Sequence, residues 1–201
     1  AFDQMRLDVG ELGLGVKTGI DLPSEALGYR GRVTQRQAGN FLDFAIGQYD
    51  TYTPIQMAQY VSSIANGGKR VQPHLFMESF TEDDDGTKIS LLQHQVKVLD
   101  DVSSYKLAFD TIHTGFRMGC VSGLASGVNG DYEAAGKTGT AQKVYEGTSD
   151  VWANRAFIGY APYDNPEIAV ACIAEALPDA GGGTCTTLSK YAFEKYFEKY
   201  G

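Results

Sequence analysis

The sequence AFIGYAPYDNPEIAVACI, residues 156–173, decides the fold of this chain. Two apolar runs, 156–161 and 168–173, flank a turn that contains two prolines and an Asp-Asn pair. Short apolar runs bounded by turn residues are typical of β-strands, and a short turn between them favours an antiparallel hairpin. Cys172 lies inside the second run, so we expect it to be a buried core residue of a strand.

Sequence on either side extends this hairpin into a layered structure. Upstream, a third strand ends in Lys137-Thr138-Gly139-Thr140-Ala141 and is joined to the hairpin by a variable loop, which predicts an antiparallel meander. Downstream, apolar residues recur at helical spacing from about Thr187 to Tyr200, namely Leu188, Tyr191, Phe193, Tyr196 and Phe197. We therefore expect an α+β fold in which an antiparallel sheet is covered by helices.

The first hundred residues give a mixed pattern. Residues 1–40 predict a short helix followed mainly by glycine-rich connection. Thr53 as N-cap and Pro54 at the first helical position then begin a helix that ends at Asn66-Gly67-Gly68. From Gly68 to Asp101 we expect short strands around an acidic hairpin tip at residues 82–86.

A second helix is predicted from Ser103 or Ser104 to Met118. Its apolar positions are Leu107, Phe109, Ile112 and Phe116. Residues 119–130 are rich in Gly and Ser and predict a loop.

Composition excludes several classes of function. The 201 residues carry 17 basic and 25 acidic side chains, and this negative balance disfavours binding to nucleic acid. No apolar run has the length of a membrane helix, and the chain opens at Ala1 without a signal sequence or an initiator methionine. We therefore expect a piece of a longer protein that forms one globular unit.

Metal and disulfide chemistry are also not expected. The three cysteines, Cys120, Cys172 and Cys185, are too few and too scattered for a disulfide framework or a zinc site. His74, His94 and His113 lack the spacing of a metal-binding pair, so we expect surface or helix-face positions for them and predict no metal and no cofactor.

The segment Lys137-Thr138-Gly139-Thr140 carries the clearest chemical meaning. A lysine and two hydroxyls project from one strand, and Gly139 leaves room for a ligand against the backbone. Such an edge can pair with an extended peptide, while Thr138 and Thr140 bind a carboxylate and Lys137 supplies positive charge. The backbone N–H of Thr140 is placed to be one donor of an oxyanion hole. An ordinary exposed strand with a glycine bulge is the alternative for these four residues taken alone.

The order of several further segments resembles the class B penicillin-binding proteins. The matching stretches are Gly15 to Pro23, Ala45 to Gln48, Tyr52 to Ala58, Ile64 to Gly68, Gly136 to Gln142, Phe157 to Pro162 and Asn165 to Ala169. On this resemblance, residues 1–201 form the C-terminal part of a penicillin-binding transpeptidase domain with a serine β-lactamase-like fold. The implied activity is peptidoglycan D,D-transpeptidation through a serine acyl-enzyme.

The resemblance also implies two motifs that this chain lacks. The family's S-x-x-K nucleophile and S-x-N motif both precede the segment at which this chain starts, and no S-x-N occurs here. One S-x-x-K match, Ser103 to Lys106, lies where the family has no nucleophile, and we interpret it as a helix N-cap followed by a solvated lysine. The chain alone is therefore expected to be inactive.

Residue roles follow from the resemblance. Lys137 and Thr140 are the implied catalytic residues, with Lys137 contacting the S-x-N serine. Thr138, Gly139, Thr140 and Gln142 are the implied substrate-binding residues, although Gln142 fits a solvent-facing strand position equally well. Gly47 and Gln48 are interpreted as a packing signature, and structural packing is expected for Trp152, Asn154 and Arg155.

The expected partners are a peptidoglycan stem peptide ending in D-Ala-D-Ala, β-lactam antibiotics and the missing N-terminal part of the same domain. The implied location is the extracellular face of the bacterial cytoplasmic membrane, with the parent protein anchored by a helix outside this chain. The alternatives are a non-catalytic peptide-binding or structural fragment, and a related D,D-carboxypeptidase, β-lactamase or β-lactam sensor.

Overall fold

A computed structural model describes residues 2–32, 39–144, 151–178 and 182–201 of the chain. In these ranges the helices are α1 (Phe2–Glu11), α2 (Asn40–Ala45), α3 (Pro54–Ala65), α4 (Lys106–Val121) and α5 (Thr184–Tyr200). The strands are β1 (Lys69–Val71), β2 (Glu78–Glu82), β3 (Lys88–Gln93), β4 (Val98–Asp101), β5 (Ala135–Val144), β6 (Val151–Ala161) and β7 (Ile168–Pro178). This combination of helices and antiparallel strands confirms the α+β class.

The central sheet is the meander that the sequence predicts. Strand β6 lies between β5 and β7 and pairs with both in antiparallel register. The strands are longer than the apolar runs suggest, since β6 begins at Val151 rather than near Ala156. Part of the predicted variable loop, residues 145–150, lies outside the described residues.

Helices cover both faces of this sheet, because neighbouring residues of β6 point in opposite directions. Phe157 is fully buried in a cluster that includes Phe193 of α5. Tyr160 and Ile158 instead face Val61 of α3. Burial of each large apolar side chain contributes about 1.5–3 kcal/mol. The sheet is therefore the middle layer, and its strands cannot shift register without exposing one of the two clusters.

Helix α5 covers the sheet as predicted, with Phe193 fully buried and Phe197 packed against the same cluster. It begins at Thr184, and its buried residues are Cys185, Ser189 and Phe193, at i, i+4 and i+8. Leu188 and Tyr191, predicted to pack on the sheet, are 55% and 58% exposed. The prediction was wrong for these two because the face of α5 that meets the strands carries Cys185, Ser189 and Phe193, and Leu188 and Tyr191 lie outside that face.

Helix α4 differs from the prediction at both ends. It begins at Lys106, and its N-cap, Tyr105, makes no side-chain cap bond, so the predicted serine cap is wrong. The N–H of Ser103 donates instead to the carboxylate of Asp101 at 3.0 Å. Lys106 is exposed and pairs with Asp110 at 3.0 Å, which confirms the solvated lysine.

The predicted apolar face and following loop of α4 are partly confirmed. Phe109 is buried, whereas Leu107 is 81% exposed because it lies on the opposite side of the helix. The predicted loop at residues 119–130 begins late, since α4 continues through Val121 and a 3₁₀ turn forms at Ser126–Val128.

Helix α3 stabilises the glycine-rich loop after α1 through side-chain hydrogen bonds. Its N-terminus has the predicted Thr53 cap, extended to a capping box by Gln56. The buried Gln56 amide donates to the carbonyl oxygen of Val16 at 2.7 Å, and the Gln59 amide donates to that of Thr18 at 3.1 Å. Two helix side chains thus satisfy backbone carbonyls of the loop.

Helix α2 has no counterpart in the sequence prediction, which assigns no secondary structure to residues 41–52. It ends in a Schellman motif: Gly47 has φ of 89°, and the N–H of Gln48 donates to the carbonyl of Asp43 at 3.0 Å. The loop at residues 19–23 contacts the segment after β1. There, the Asp21 carboxylate accepts the N–H groups of Leu75 and Phe76 at 2.7 and 2.8 Å.

The acidic hairpin tip is confirmed. Strands β2 and β3 pair across it, and the carboxylate of Asp83 accepts the N–H groups of Asp85 and Thr87. Most of this hairpin is exposed, whereas β1 pairs with β4 closer to the core. Among the described residues, no helix is long and apolar enough to cross a membrane.

The cysteines are unpaired and packed against the sheet. Cys120 and Cys185 are buried, and burial raises the pKa of Cys120 to about 11 and, with a hydrogen bond to Cys172, that of Cys185 to about 12. Cys172 is half-buried on β7 and packs against the same cluster, so its predicted strand position is confirmed. The thiols of Cys120 and Cys185 therefore remain protonated at neutral pH.

Candidate functional site

The site is built on the outer edge of the central sheet. Strand β5 pairs with β6 on one side, and no other described strand pairs with its opposite side. Its outward N–H and C=O groups are thus available to an extended ligand. The four residues Lys137, Thr138, Gly139 and Thr140 lie on this strand as predicted, but near its middle, because the strand continues to Val144 and does not end at Ala141.

The pleat of β5 divides these four residues between the two faces. Lys137 pairs with Ile158, which faces α3, and Thr138 pairs with Phe157, which faces α5. Lys137 and Gly139 therefore lie on the α3 side, whereas Thr138 and Thr140 lie on the α5 side. A ligand at the strand edge would meet an ammonium on one side and two hydroxyls on the other.

Lys137 is an exposed side chain of this strand. Its ammonium donates a hydrogen bond to the carbonyl oxygen of Thr138 at 2.7 Å. This bond holds the side chain along the strand, and both the ammonium and the neighbouring hydroxyls stay accessible to an anionic ligand.

Gly139 leaves open space at this point of the strand. A Cβ added there would meet only the Cβ of Ala156, at the ordinary contact distance of 3.5 Å. By contrast, a Cβ at Gly136 would lie 2.5 Å from the ring of Phe157. Packing within the sheet therefore requires glycine at 136 but not at 139, which favours a ligand-related reason for Gly139.

Arg155 lies within strand β6, next to the Lys-Thr-Gly-Thr segment, a position that the sequence did not indicate. It pairs with Thr140 across the β5–β6 ladder, and its Nη1 donates to the Thr140 hydroxyl oxygen at 3.1 Å. Asn154, next to it, has the predicted structural role, because its side-chain oxygen accepts the N–H of Ala176 at 3.0 Å. Trp152 is half-buried on the same strand.

Pockets flank both sides of the strand. The α5-side pocket has a volume of about 210 Å³ and is lined by Leu124, Thr138–Thr140, Arg155, Ala156, Gly182, Gly183, Cys185 and Thr186. The α3-side pocket, of about 230 Å³, lies between Gly139–Ala141 and the segment Ile46–Gln48. Ser103 and Ser104 line neither of these two pockets.

Two further sequence predictions have different outcomes here. Gly47 and Gln48, interpreted as packing residues, are exposed and line the α3-side pocket. The correction has a local cause: Gly47 ends α2 in a left-handed conformation that turns the chain toward β5. Gln142 is exposed on β5, two residues beyond Thr140 and on the same face, and its role in the cleft stays a prediction.

The histidines lie away from this strand. The rings of His74 and His94 stack with centroids 3.2 Å apart, and a ring nitrogen of His113 contacts the carbonyl oxygen of Ile64 at 2.7 Å. Within the described ranges, no three His, Cys, Asp or Glu side chains come together as a set of metal ligands.

Comparison with known proteins identifies the family of this chain. Residues 3–190 match the family model of the penicillin binding protein transpeptidase domain. The chain therefore belongs to the penicillin-binding protein transpeptidase domain family. The edge strand with its Lys-Thr-Gly-Thr sequence lies inside the matched region.

Individual relatives agree with this assignment. The chain is 46% identical to penicillin-binding protein 2A of Bacillus subtilis over 86% of this chain and 25% of the relative. It is 33% identical to the peptidoglycan D,D-transpeptidase MrdA of Acinetobacter baumannii over 96% of this chain and 30% of the relative. Among solved structures, penicillin-binding protein 2B of Streptococcus pneumoniae strain R6 matches with a TM-score of 0.87 and 31% identity.

The structural match covers 98% of this chain and 33% of the pneumococcal protein. The chain thus spans about a quarter to a third of the length of these relatives.

Proposed function

We propose that this chain is the C-terminal part of the transpeptidase domain of a peptidoglycan D,D-transpeptidase, and that it supplies one wall of the catalytic cleft. The observation that carries the proposal is the outer edge of β5, with which no other described strand pairs and along which Lys137, Thr138, Gly139 and Thr140 lie together. Named relatives include penicillin-binding proteins and a peptidoglycan D,D-transpeptidase.

In the proposed reaction, a stem peptide ending in D-Ala-D-Ala pairs with the outer edge of β5. A serine from the preceding part of the domain attacks the carbonyl carbon of the penultimate D-alanine, and the C–N bond breaks to release the terminal D-alanine. The amine of a second stem peptide then attacks the acyl-enzyme ester, forms the cross-link and returns the serine hydroxyl. The proton from the serine goes to the leaving amine.

Each residue of the edge strand has one task in this scheme. The N–H of Thr140 donates to the carbonyl oxygen as negative charge develops on it. The hydroxyls of Thr138 and Thr140 bind the terminal carboxylate, and Lys137 contacts the S-x-N serine of the preceding part and stabilises negative charge on the α3 side. Gln142 lines the far end of the strand.

A β-lactam reacts with the same serine to form a stable ester, because its carbonyl and carboxylate occupy the same positions as the scissile carbonyl and the terminal carboxylate of the stem peptide. The parent protein is therefore expected to bind β-lactam antibiotics and to act at the outer face of the cytoplasmic membrane. The other proposed partner is the N-terminal part of its own domain, which carries the nucleophile.

The test is acylation of the parent protein by a fluorescent penicillin. We expect Lys137→Ala to slow acylation by about 100-fold, the usual effect of losing one electrostatic contact in an active site. Lys106→Ala, which removes an exposed lysine of α4, is the control and should leave the rate unchanged. An unaltered rate in Lys137→Ala would remove the catalytic role of this strand.

A further inference from the structure

We propose that Cys172 and Cys185 are a redox-active pair, which a disulfide oxidant converts to a disulfide bond between β7 and the first turn of α5. The oxidant is a small-molecule disulfide or the reactive disulfide of another protein. Sequence spacing gave no reason to pair these cysteines, whereas the fold brings them into contact. The chemistry of the pair goes beyond the proposed function and does not depend on it.

Strand β7 and helix α5 place the two cysteines in the same layer of the fold. Cys172 lies directly opposite Phe157 in the β6–β7 ladder, so both side chains project on the α5 face of the sheet. Phe157 and Cys185 belong to one buried cluster, and Cys172 packs against that cluster. Cys185 lies on the buried face of α5, next to the first residue of the helix. Two distant elements therefore each contribute one thiol to the same interface.

Hydrogen bonds show how the two free thiols meet. The Cys185 thiol donates to the carbonyl oxygen of Arg155 at 3.3 Å, so its sulfur lone pairs face the Cys172 thiol. Cys172 and Cys185 are hydrogen-bonded to each other. Small rotations about the side-chain bonds bring sulfur atoms in such contact to bonding distance.

The cysteines differ in exposure, and this difference sets the order of reaction. Cys172 is half-buried, whereas Cys185 is 3% exposed and burial raises the pKa of its thiol to about 12. A disulfide reagent therefore reacts first with Cys172, the more accessible thiol. Cys120 packs in the same cluster but is 0% exposed, so the reagent does not reach it in the folded protein.

The reaction is a thiol–disulfide exchange in two steps. The thiolate of Cys172 attacks one sulfur of the oxidant, whose S–S bond breaks and releases one thiolate. The thiolate of Cys185 then attacks the Cys172 sulfur of the mixed disulfide and expels the second thiolate. Two protein thiols are oxidised, the oxidant is reduced to two thiols, and the two protons pass through solvent to the released thiolates. The second step is intramolecular, so a high effective concentration offsets the raised pKa of Cys185.

Oxidation would alter the wall of the α5-side pocket. Cys185 lines this pocket together with Thr138–Thr140. A disulfide sulfur has no proton, so the hydrogen bond from Cys185 to the Arg155 carbonyl oxygen is lost. A covalent link between α5 and β7 replaces this hydrogen bond between α5 and β6. At the proposed location, outside the cytoplasmic membrane, disulfides persist once they have formed.

The test is disulfide mapping of the reduced parent protein after native incubation with oxidised glutathione. Remaining thiols are blocked with iodoacetamide in denaturant, and the protein is digested with a protease that cleaves after glutamate, because Glu175 lies between the two cysteines. We expect a linked pair of peptides that carry Cys172 and Cys185, separated again by dithiothreitol. Cys120 should carry the blocking group.

Cysteine variants provide the controls. Cys172→Ser should abolish the linked pair, Cys185→Ser should leave a mixed disulfide with glutathione on Cys172, and Cys120→Ala should keep the linked pair. The wild-type map decides the proposal whether or not each variant folds. Free thiols at both positions after incubation, a bond to Cys120, or a mixed disulfide that stays on Cys172 in the wild type would each overturn it. Acylation by penicillin is measured separately, so the proposed function stands or falls independently.

Discussion

Replacing Gly139 by alanine separates the ligand-binding role of strand β5 from its structural role. The added methyl would meet only the Cβ of Ala156 at 3.5 Å, and Gly139 does not have positive φ. Since alanine restricts the unfolded chain, the free energy of unfolding should stay the same or rise by about 0.4–1 kcal/mol. The fold should therefore tolerate this change.

The same methyl projects on the α3 side of the sheet, into the pocket beside the open edge along which the proposed ligand lies. A steric clash of one methyl group costs about 1–3 kcal/mol, which corresponds to a loss of about 10- to 100-fold in the rate of acylation. We expect the Gly139→Ala parent to unfold like the wild type in urea but to react much more slowly with fluorescent penicillin.

Gly136→Ala is the matched control on the same strand. Its Cβ would lie 2.5 Å from the ring of Phe157 and 2.6 Å from the carbonyl oxygen of Ile158, so the fully buried Phe157 would have to move. We expect a loss of about 1–3 kcal/mol in the free energy of unfolding. Unchanged acylation in Gly139→Ala, or a large loss of its stability, would refute the assignment of Gly139 to ligand binding.

Three further changes test the fold. Phe193→Ala should lower the free energy of unfolding by about 3–5 kcal/mol, because Phe193 is fully buried, whereas Leu188→Ala on the same helix should change it by less than about 1 kcal/mol; similar losses in urea titrations would contradict the orientation of α5. Thr53→Ala should cost about 1 kcal/mol through the lost cap, measured in the same way, and no change would argue against the capping box. Two backbone N–H groups hold the pKa of Asp21 below its usual range, so its contribution is present above the unfolded pKa and is lost as pH falls through the folded pKa. Asp21→Asn should therefore flatten the loss of stability below about pH 4 in thermal melts, and an identical acid profile would exclude this contribution.

Local signals in the sequence were sufficient for much of the fold. The Thr53-Pro54 start of α3 uses hydrogen bonds between neighbouring residues, which a sequence pattern contains directly. The meander was predictable because its apolar runs and turns alternate along the chain. These elements depend little on residues that are distant in sequence.

The orientation of α5 was not predictable in the same way. Its aromatic and aliphatic residues lie on more than one side of the helix, so hydrophobicity identified Phe193 and Phe197 but did not exclude the exposed Leu188 and Tyr191. Close approach to the strands selected Cys185 and Ser189, which are small. The face of α5 that contacts the sheet is determined by packing between the helix and the strands, which the helical periodicity of the sequence does not reveal.

The candidate site shows the same division. The strand with Lys137 and Thr140 was evident from its residue types, but the contribution of Arg155 depends on the register between β5 and β6. That register is fixed by the whole ladder and by the length of the loop between the strands, so the contact between Arg155 and Thr140 could not be derived from spacing. The exposed position of Gln48 likewise depends on how α2 ends.

The most direct test of the central claim is to locate the acylated residue in the parent protein. After reaction with penicillin, intact mass spectrometry and peptide mapping should find one adduct per molecule, on a serine that precedes Ala1, and none on the isolated chain of residues 1–201. An adduct on Ser103, abolished by Ser103→Ala, would contradict the account by placing the nucleophile on the segment before α4. Absence of any adduct on the parent would contradict the proposed transpeptidase itself.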